Sequence, residues 1–354
     1  MKNLITKLEN EERLNQEEAN ALWDLDLFTL GKYAHKKRTK LHGKKVYFNI
    51  NRHINPTNIC ADTCKFCAFS AHRKNPNPYL MSHEEILNIV ADTQKRGTKE
   101  VHIVSAHNKD TTWQWYLEIF QKIKQNYPQI HIKALTAAEI DFIHRRWGLS
   151  YEEVVEKMLE YGVDSMPGGG AEIFDEEIRA KICKGKVSSE NWLKIHKIWH
   201  QKARQSNATM LYGHIEKREH RIDHMLRLRA LQDETGGFNA FIPLVWQKDN
   251  SFLDVKEQLD SEEILKTIAI SRLVLDNIKN IKAYWATMSL NLAMVAQEFG
   301  ANDLDGTIEK ESIQSAGGAK SAHGTSLQTF IELIKTSNLI PVERDSLYNE
   351  LKIY

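Results

Sequence analysis

The sequence predicts an α/β fold, a (β/α)8 TIM-like barrel that carries helical extensions at both ends. Short β-rich runs alternate with amphipathic helical stretches along the chain. The alternation repeats about eight times over roughly 260–290 residues, which is the size of such a barrel. No Pro/Ser-rich or low-complexity linker divides the 354 residues. Because alternation alone does not distinguish a closed sheet from an open one, a doubly wound open sheet is the structural alternative.

The predicted strands are short and rich in β-branched and aromatic residues. In chain order they are VYFNINRHIN (46–55), EVHIVSA (100–106), IHIKALT (130–136), GVDSM (162–166), ATMLYGHI (208–215), FNAFIPLVW (238–246), IKAYWATM (281–288) and NDLDGT (302–307). The helices between them have recognisable start signals. Ser82 and Ser150 are each followed by a glutamate three residues later, the pattern of a capping box. Further helices are predicted to begin near Ser189, Arg218, Ser261, Leu290 and Ala322.

One barrel domain with two extensions is the organisation that this pattern predicts. Residues 1–45 are expected to form an N-terminal helical extension, because Asn15 can cap the stretch QEEANALWDLDL and acids occupy its first turn. Residues 46–315 are expected to form the barrel. Residues 316–354 are predicted as a C-terminal helical extension packed on it.

Composition and charge restrict the classes of partner. The chain has 48 Lys and Arg against 47 Asp and Glu, so its net charge of +1 gives no electrostatic case for nucleic acid or an anionic membrane. The N-terminal stretch MKNLITKLENEERLNQEE is charged and lacks an apolar signal-peptide core. No apolar run approaches the length of about eighteen residues that a membrane span needs. We therefore expect a soluble cytoplasmic protein that binds neither nucleic acid nor a membrane.

Three of the four cysteines lie within the stretch CADTCKFC, as Cys60, Cys64 and Cys67, just after the first predicted strand. In a parallel barrel this end of the strands is the functional face. A structural zinc site is one interpretation, but zinc usually takes four ligands in two close pairs, so His53 or His72 would have to complete the set. A second is that the cysteines are unrelated core residues. A third is an iron–sulfur cluster, which usually has four thiolates. Three thiolates would leave one iron open to a ligand that is not protein.

The spacing Cys-x3-Cys-x2-Cys, with Phe66 directly before the last cysteine, resembles the radical S-adenosylmethionine (radical SAM) enzymes. The resemblance implies that Cys60, Cys64 and Cys67 hold a [4Fe-4S] cluster whose open iron is chelated by S-adenosylmethionine. It also implies an electron donor of low potential, such as flavodoxin or ferredoxin, and cleavage of the cofactor to methionine and a 5′-deoxyadenosyl radical. A (β/α) barrel with the cysteine loop after strand one is the fold of that family.

Longer segments carry a more specific resemblance. NRHINPTNICADTCKFCAFSA, IKALTAAEI, SMPGGGAEIF, ATMLYGHIE, RIDHMLRLRALQDETGGFNAFIPL and DLDGTIEKESI together resemble the aminofutalosine synthase family of the futalosine route to menaquinone. The resemblance implies a transferase that adds the 5′-deoxyadenosyl radical to 3-[(1-carboxyvinyl)oxy]benzoate. The product would be 6-amino-6-deoxyfutalosine, formed with loss of carbon dioxide or bicarbonate. The cyclic dehypoxanthine futalosine synthase of the same route is the alternative enzyme, and a non-catalytic metal-binding scaffold is the alternative of another class.

The resemblance and the strand ends together indicate residues that would bind the cofactor. Phe66 is expected near the adenine. A triple glycine after strand four, with Gly169 and Gly170, lets backbone approach a ligand, and Glu172 follows it. Glu216 and Arg218, at the end of strand five, are the remaining cofactor candidates. A flexible turn and a solvated helix with i,i+4 ion pairs are the structural alternatives for these two segments.

The candidates for substrate binding lie at other strand ends. They are Arg52 and His53 on strand one, Glu139 after strand three, Arg221, Trp285 on strand seven and Asp305 at the end of strand eight. Arginine forks suit the two carboxylates of the substrate, whereas core packing is the alternative role of Trp285. The sequence departs from the family after strand two, where the usual Gly-Gly is replaced by Ser105-Ala106. Backbone carbonyls remain available there for the cofactor's amino group.

Overall fold

The computed structural model describes residues 2–71, 77–308, 312–319 and 324–354. Its strands are β1 (Lys45–Asn49), β2 (Asn51–Ile54), β3 (Glu100–Ile103), β4 (His131–Ala134), β5 (Ser206–Tyr212), β6 (Phe238–Val245), β7 (Asn280–Ile281), β8 (Asp303–Gly306), β9 (Ile340–Arg344) and β10 (Glu350–Ile353). The predictions made for His72 and Ala322 lie outside the described residues.

Helices alternate with these strands, as the sequence predicts. They are α1 (Lys2–Glu9), α2 (Gln16–Ala21), α3 (Leu27–His42), α4 (His83–Lys95), α5 (Trp113–Asn126), α6 (Ala137–Trp147), α7 (Tyr151–Glu160), α8 (Glu176–Ile182), α9 (Ser189–Gln201), α10 (Arg218–Thr235), α11 (Ser261–Val274), α12 (Trp285–Met288), α13 (Leu290–Val295), α14 (Ile313–Ala316) and α15 (Leu327–Thr336). The capping boxes at Ser82 and Ser150 are formed, and Asn15 caps α2. Within the described ranges, no helix is both long and apolar enough to span a membrane.

The barrel strands form a ring of eight positions. β1 and β2 are two halves of strand one, and β2, β3 and β4 pair in parallel. Because β1 and β2 share the first position, β4 is the third strand of the barrel. Bridges join Ser165 to β4 and Met166 to β5, so Ser165 and Met166 form the short fourth strand. β5, β6 and β7 pair in parallel, a bridge from Lys282 joins β7 to β8, and β8 returns to β1. The (β/α)8 prediction is therefore confirmed, and the open sheet is not what forms.

The predicted seventh strand is wrong over most of its length. Only Asn280–Ile281 is a strand, and α12 begins at Trp285. The indole Nε1 of Trp285 donates a hydrogen bond of 2.9 Å to the carbonyl of Gly306. The hydrogen bond holds Trp285 against the end of β8, and residues 285–288 form the short helix α12 there instead of a strand.

The C-terminal segment contains strands where the sequence predicted only helices. After α15, β9 pairs in parallel with β1, and β10 pairs antiparallel with β9. The carbonyl of Lys44 accepts from the N–H of Ile340, and the carbonyl of Ile50 accepts from the N–H of Lys99. Because residues 44 and 50 are an even number apart, their carbonyls point to the same edge of strand one. β9 and β3 therefore pair with successive parts of the same edge. The run IPVER is only five residues long and contains a proline, so its sequence alone does not predict a strand.

Arg13 is one of the residues that tie the N-terminal helices to the barrel. The guanidinium of Arg13, between α1 and α2, donates to Asp233 at 2.6 and 2.9 Å and to Asp276 at 2.7 and 2.9 Å. Asp233 lies on α10, and Asp276 follows α11. The predicted extension is therefore helical and contacts the outer helices of the barrel.

Three buried ion pairs between described residues lie in the barrel interior. Lys133 pairs with Glu100 at 2.7 Å, and Lys282 pairs with Asp305 at 2.5 Å. Arg344, which ends β9, pairs with Asp303 of β8 at 2.5 Å. All six side chains are buried, as charges inside a protein are when they are paired. They form a polar floor beneath the functional end of the barrel.

Candidate active site

A cavity of about 290 Å³ opens at the carboxyl ends of the barrel strands. Residues on or after each of the eight strand positions of the barrel contribute to its lining. Its walls are mainly apolar, whereas its floor is polar. The cavity lies where parallel barrels place their functional sites.

The three clustered cysteines line this cavity. Cys64 is buried, Cys60 and Cys67 are partly buried, and all are free thiols. Neighbouring segments hold their loop on several sides. Its Ala61 N–H donates to the carbonyl of His107 at 2.9 Å, and its Lys65 N–H donates to the carbonyl that ends α8 at 2.7 Å. Neighbouring segments of the barrel thus position the cysteine loop.

A buried lysine faces the cysteine loop. Lys186 donates from Nζ to Glu172 Oε1 at 2.8 Å, and its Nζ lies 5.6 Å from the centroid of the Phe66 ring. Burial raises the pKa of the Cys60 thiol, and it raises that of Cys64 well above the usual range although Lys186 opposes the rise. Burial also works against the charge of Lys186, but Glu172 and the nearby thiols keep its pKa above the usual range. The charged ammonium group of Lys186 can therefore bind an anionic ligand beside the cysteine thiols.

The triple glycine has a packing role as well as a place in the cavity wall. A Cβ on Gly168 would lie 2.7 Å from the carbonyl oxygen of Asn207 on β5. Gly170 has a φ of +90°, and its Cβ would lie 2.7 Å from that of Ala138 on α6. Larger residues would push this turn away from β5 and α6. The turn is therefore closely packed and presents backbone to the cavity.

The structure brings together nine of the fifteen predicted site residues. The cavity is lined by Cys60, Cys64, Cys67, Phe66, Gly169, Gly170, Glu172, His53 and Asp305. The described lining does not include Arg52, Glu139, Glu216, Arg218, Arg221 or Trp285. The structure therefore does not bring these six residues together with the cysteines in this cavity, and each has another contact or direction.

The charged residues after β5 bind one another. Glu216 accepts hydrogen bonds from the backbone N–H groups of Gly213 and His214 at 2.7 and 2.8 Å, and from Arg221 at 2.7 Å. Arg218 and Arg221 both donate to Glu263 on α11. These side chains fix the start of α10 against α11 and leave no charge for the cavity.

The other three residues support the cavity wall or face away from it. Glu139 accepts from the Thr136 and Ser105 N–H groups at 2.8 and 2.9 Å, so it holds the end of β3 to the start of α6. Trp285 covers the end of β8. Alternation along β2 places His53 in the cavity, and Arg52 consequently has the opposite direction.

Several lining residues were missed by the sequence analysis. They include Asp62, His102, His107, Lys186, Asn207, Thr209 and Tyr284. His107 follows Ser105-Ala106, and all three residues line the cavity, as expected from their place after strand two. Its Nδ1 lies 2.9 Å from Asp62 Oδ2, within the cysteine loop, and its ring stacks on Phe142 at 4.9 Å. The pair connects the loop to the end of β3.

Comparison with known proteins defines the class of this barrel. Residues 54–228 match the radical SAM superfamily, and residues 235–353 match the CofH/MqnC C-terminal region. The chain belongs to the radical SAM superfamily, whose members bind a [4Fe-4S] cluster and S-adenosylmethionine. The first match contains the cysteine loop, and the second contains β9 and β10.

Within that superfamily, the chain is similar to named enzymes over nearly its whole length. It is 40% identical to the aminodeoxyfutalosine synthase of Thermus thermophilus, over 99% of this chain and 96% of that protein. It is 36% identical to the aminodeoxyfutalosine synthase of Streptomyces coelicolor, over 99% and 94%. It is also 38% identical to the 5-amino-6-(D-ribitylamino)uracil–L-tyrosine 4-hydroxyphenyl transferase of Archaeoglobus fulgidus, over 90% and 92%.

Solved structures show the same fold. The FeFe-hydrogenase maturase HydG from Carboxydothermus hydrogenoformans superposes with a TM-score of 0.76 at 16% identity, over 98% of this chain and 80% of that chain. Methylornithine synthase (PylB) superposes with a TM-score of 0.73 at 17% identity, over 96% and 97%. Similarity at this level of identity concerns the fold alone.

Proposed function

We propose that this protein is an aminodeoxyfutalosine synthase, a radical SAM transferase of menaquinone biosynthesis. The observation that carries the proposal is the 40% identity to the Thermus thermophilus enzyme over 99% of this chain. The reaction would join the adenosyl part of S-adenosylmethionine to 3-[(1-carboxyvinyl)oxy]benzoate. It would release methionine and one carboxyl group, as carbon dioxide or bicarbonate, and give 6-amino-6-deoxyfutalosine.

Cys60, Cys64 and Cys67 are the residues we propose as cluster ligands. Their thiols line one cavity, and thiolates are the usual ligands of iron–sulfur clusters. Within the described ranges, no three His, Cys, Asp or Glu side chains are arranged to hold one metal ion. A four-iron cluster does not need such convergence, because each thiolate binds a different iron. When bound, the cluster and S-adenosylmethionine supply the 5′-deoxyadenosyl radical.

The wall beside the cysteine loop would bind S-adenosylmethionine. Lys186 offers a cation to the methionine carboxylate, and Glu172 offers an acceptor to the ammonium group or the ribose hydroxyls. The Phe66 ring would lie against the adenine. The backbone at Gly169 and Gly170 would let the cofactor approach closely.

Replacing Lys186 by methionine is expected to raise the Kd for S-adenosylmethionine about 10- to 100-fold, the effect of one hydrogen bond to a charged group. Equilibrium dialysis with the reconstituted, unreduced enzyme measures it. Arg218→Met is the matched control, because Arg218 pairs with Glu263 outside the cavity lining. We expect its Kd to equal that of the wild type. Equal weakening by both substitutions would contradict this cofactor site.

The apolar part of the cavity lining suits an aromatic substrate. Its apolar side chains are those of Phe69, Ile242, Leu244, Trp246 and Tyr284. Together they would exclude water from around a bound aromatic ring. Such exclusion protects a reactive radical from solvent.

The radical chemistry also needs a one-electron donor, which we propose to be a small carrier such as flavodoxin or ferredoxin. The cysteine loop reaches the surface at Lys65, whose carbonyl accepts from the N–H of Phe252 at 2.7 Å. Lys65 is exposed, and Phe252 is 42% exposed. An acidic carrier could therefore approach close to the proposed cluster.

Anaerobic turnover followed by mass spectrometry tests the proposed function. The reconstituted, reduced enzyme is incubated with S-adenosylmethionine and 3-[(1-carboxyvinyl)oxy]benzoate, and we expect a product that retains the adenosyl group. Parallel incubations contain 5-amino-6-(D-ribitylamino)uracil with L-tyrosine, because of the 38% identity to that transferase, and dehypoxanthine futalosine, the substrate of the alternative cyclase. Turnover of either of these in place of the benzoate would refute the proposal.

A further inference from the structure

Three basic side chains lie side by side across the barrel interior. In the register of the sheet, His53 on β2 pairs with His102 on β3, and His102 pairs with Lys133 on β4. Paired residues of neighbouring strands point to the same face of a sheet. The His53 and His102 rings lie 4.6 Å apart at 74°. Both histidines line the cavity, at the level of its polar floor.

The acids around this row already have cationic partners. Glu100, two residues before His102 on β3, pairs with Lys133 at 2.7 Å. Asp305, which lines the cavity from β8, pairs with Lys282 at 2.5 Å. Among the described residues, the Nε2 atom of His102 is buried and has no hydrogen-bond partner. Because this atom faces the cavity, it can form a hydrogen bond with a bound ligand.

The charge of the cavity restricts how it can bind an anion. The side chains of permanent charge in the described lining are Asp62, Glu172, Asp305 and Lys186. Acids are therefore in excess, and Lys186 lies beside the cysteine loop. The remaining source of positive charge is imidazole. His107 lies 2.9 Å from Asp62, so the imidazole in the described lining that can receive a carboxylate is that of His102, with the His53 ring beside it.

We propose that His102, with His53 beside it, binds one carboxylate of the substrate and takes up a proton when it does so. This inference rests on the proposed function, because the enol-ether benzoate has two carboxylates. The apolar wall would hold the aromatic ring between the floor and the cysteine loop. His102 thereby fixes the orientation of the substrate toward the cofactor.

The sign of the pH dependence follows from the surroundings of His102. Burial, and then His53 and Lys133, keep its pKa well below the usual range in the empty cavity, although Glu100 and Asp305 oppose them. The imidazole is therefore neutral near pH 7. A carboxylate at Nε2 favours the charged form and raises this pKa. Affinity consequently increases as the pH falls, by up to about tenfold per pH unit between the two pKa values.

Titration calorimetry tests the inference. 3-[(1-Carboxyvinyl)oxy]benzoate is titrated into the reconstituted, unreduced holoenzyme in buffers of different ionisation enthalpy, between about pH 6 and about pH 8. We expect proton uptake that approaches one per site. His102→Gln should abolish the uptake and weaken binding about 10-fold or more, while the cluster absorbance stays as in the wild type. His83→Gln is the control, since His83 lies on α4 outside the cavity lining and should leave both quantities unchanged.

The outcomes separate this inference from the proposed function. Product formation without proton uptake, or with His102→Gln binding as tightly as the wild type, overturns the inference and leaves the function standing. Failure of the wild type both to bind and to convert the benzoate overturns both.

Discussion

Replacing Cys64 by alanine is expected to eliminate the iron–sulfur cluster and, with it, turnover. Cys64 is the buried member of the three cysteines, so no water or neighbouring side chain can easily replace its thiolate. The cluster carries chemistry that the protein cannot supply by itself, and we expect activity to fall by more than about 10⁴-fold. Iron content, visible absorbance and the electron paramagnetic resonance signal of the reduced protein measure the loss after anaerobic reconstitution.

The fourth cysteine provides a sharp control for this experiment. Cys183 is buried next to the loop, and burial raises its pKa to about 11, but it does not belong to the described cavity lining. We expect Cys183→Ala to retain the cluster, the response of its spectrum to S-adenosylmethionine, and activity. Loss of the cluster in Cys183→Ala would mean that four protein thiolates saturate the metal. The proposed open iron, and the function that depends on it, would then be wrong.

Replacing Arg344 by methionine is expected to lower the free energy of unfolding by about 3–5 kcal/mol, the usual effect of removing one partner of a buried ion pair. The substitution leaves the carboxylate of Asp303 in the barrel interior, where both side chains of the pair are nearly inaccessible to solvent. Urea denaturation followed by circular dichroism and fluorescence measures the change.

A double variant separates the unpaired charge from lost packing. Asp303→Asn together with Arg344→Met removes both charges, and an asparagine at 303 can still accept from the Asp305 N–H, which donates to Asp303 at 2.6 Å. We expect it to recover most of the stability. Lys157→Met, which removes an exposed pair with Glu160, should cost less than about 1 kcal/mol. If the double variant is as unstable as Arg344→Met, the loss comes from packing and not from charge.

Local patterns were sufficient for the barrel and the cysteine loop. Each of the eight predicted runs overlaps an observed strand or strand bridge, although the seventh shares only Ile281 with β7. The capping boxes at Ser82 and Ser150 marked true helix starts. β9 was missed because IPVER becomes a strand by pairing with β1, which lies almost 300 residues earlier in the sequence. Such a long-range contact leaves no sign in the neighbouring residues.

The sequence could not predict which partner or cavity each charged side chain faces. Arg218 and Arg221 turn to Glu263, which belongs to the next helix, and not to the cavity. His53 and Arg52 are neighbours, and only the register of β2 decides which one enters the barrel. Lys186 follows a short helix without any motif, and its proximity to Glu172 arises from the tertiary fold.

The pairing of β1 has a consequence for how the protein is made. Both of its sheet neighbours, β8 and β9, are synthesised after every other strand of the barrel. A nascent chain on the ribosome therefore carries a hydrophobic strand with two bare edges for most of its translation. Such edges invite pairing with other chains, so we expect shielding by chaperones to govern the yield of this protein in cells.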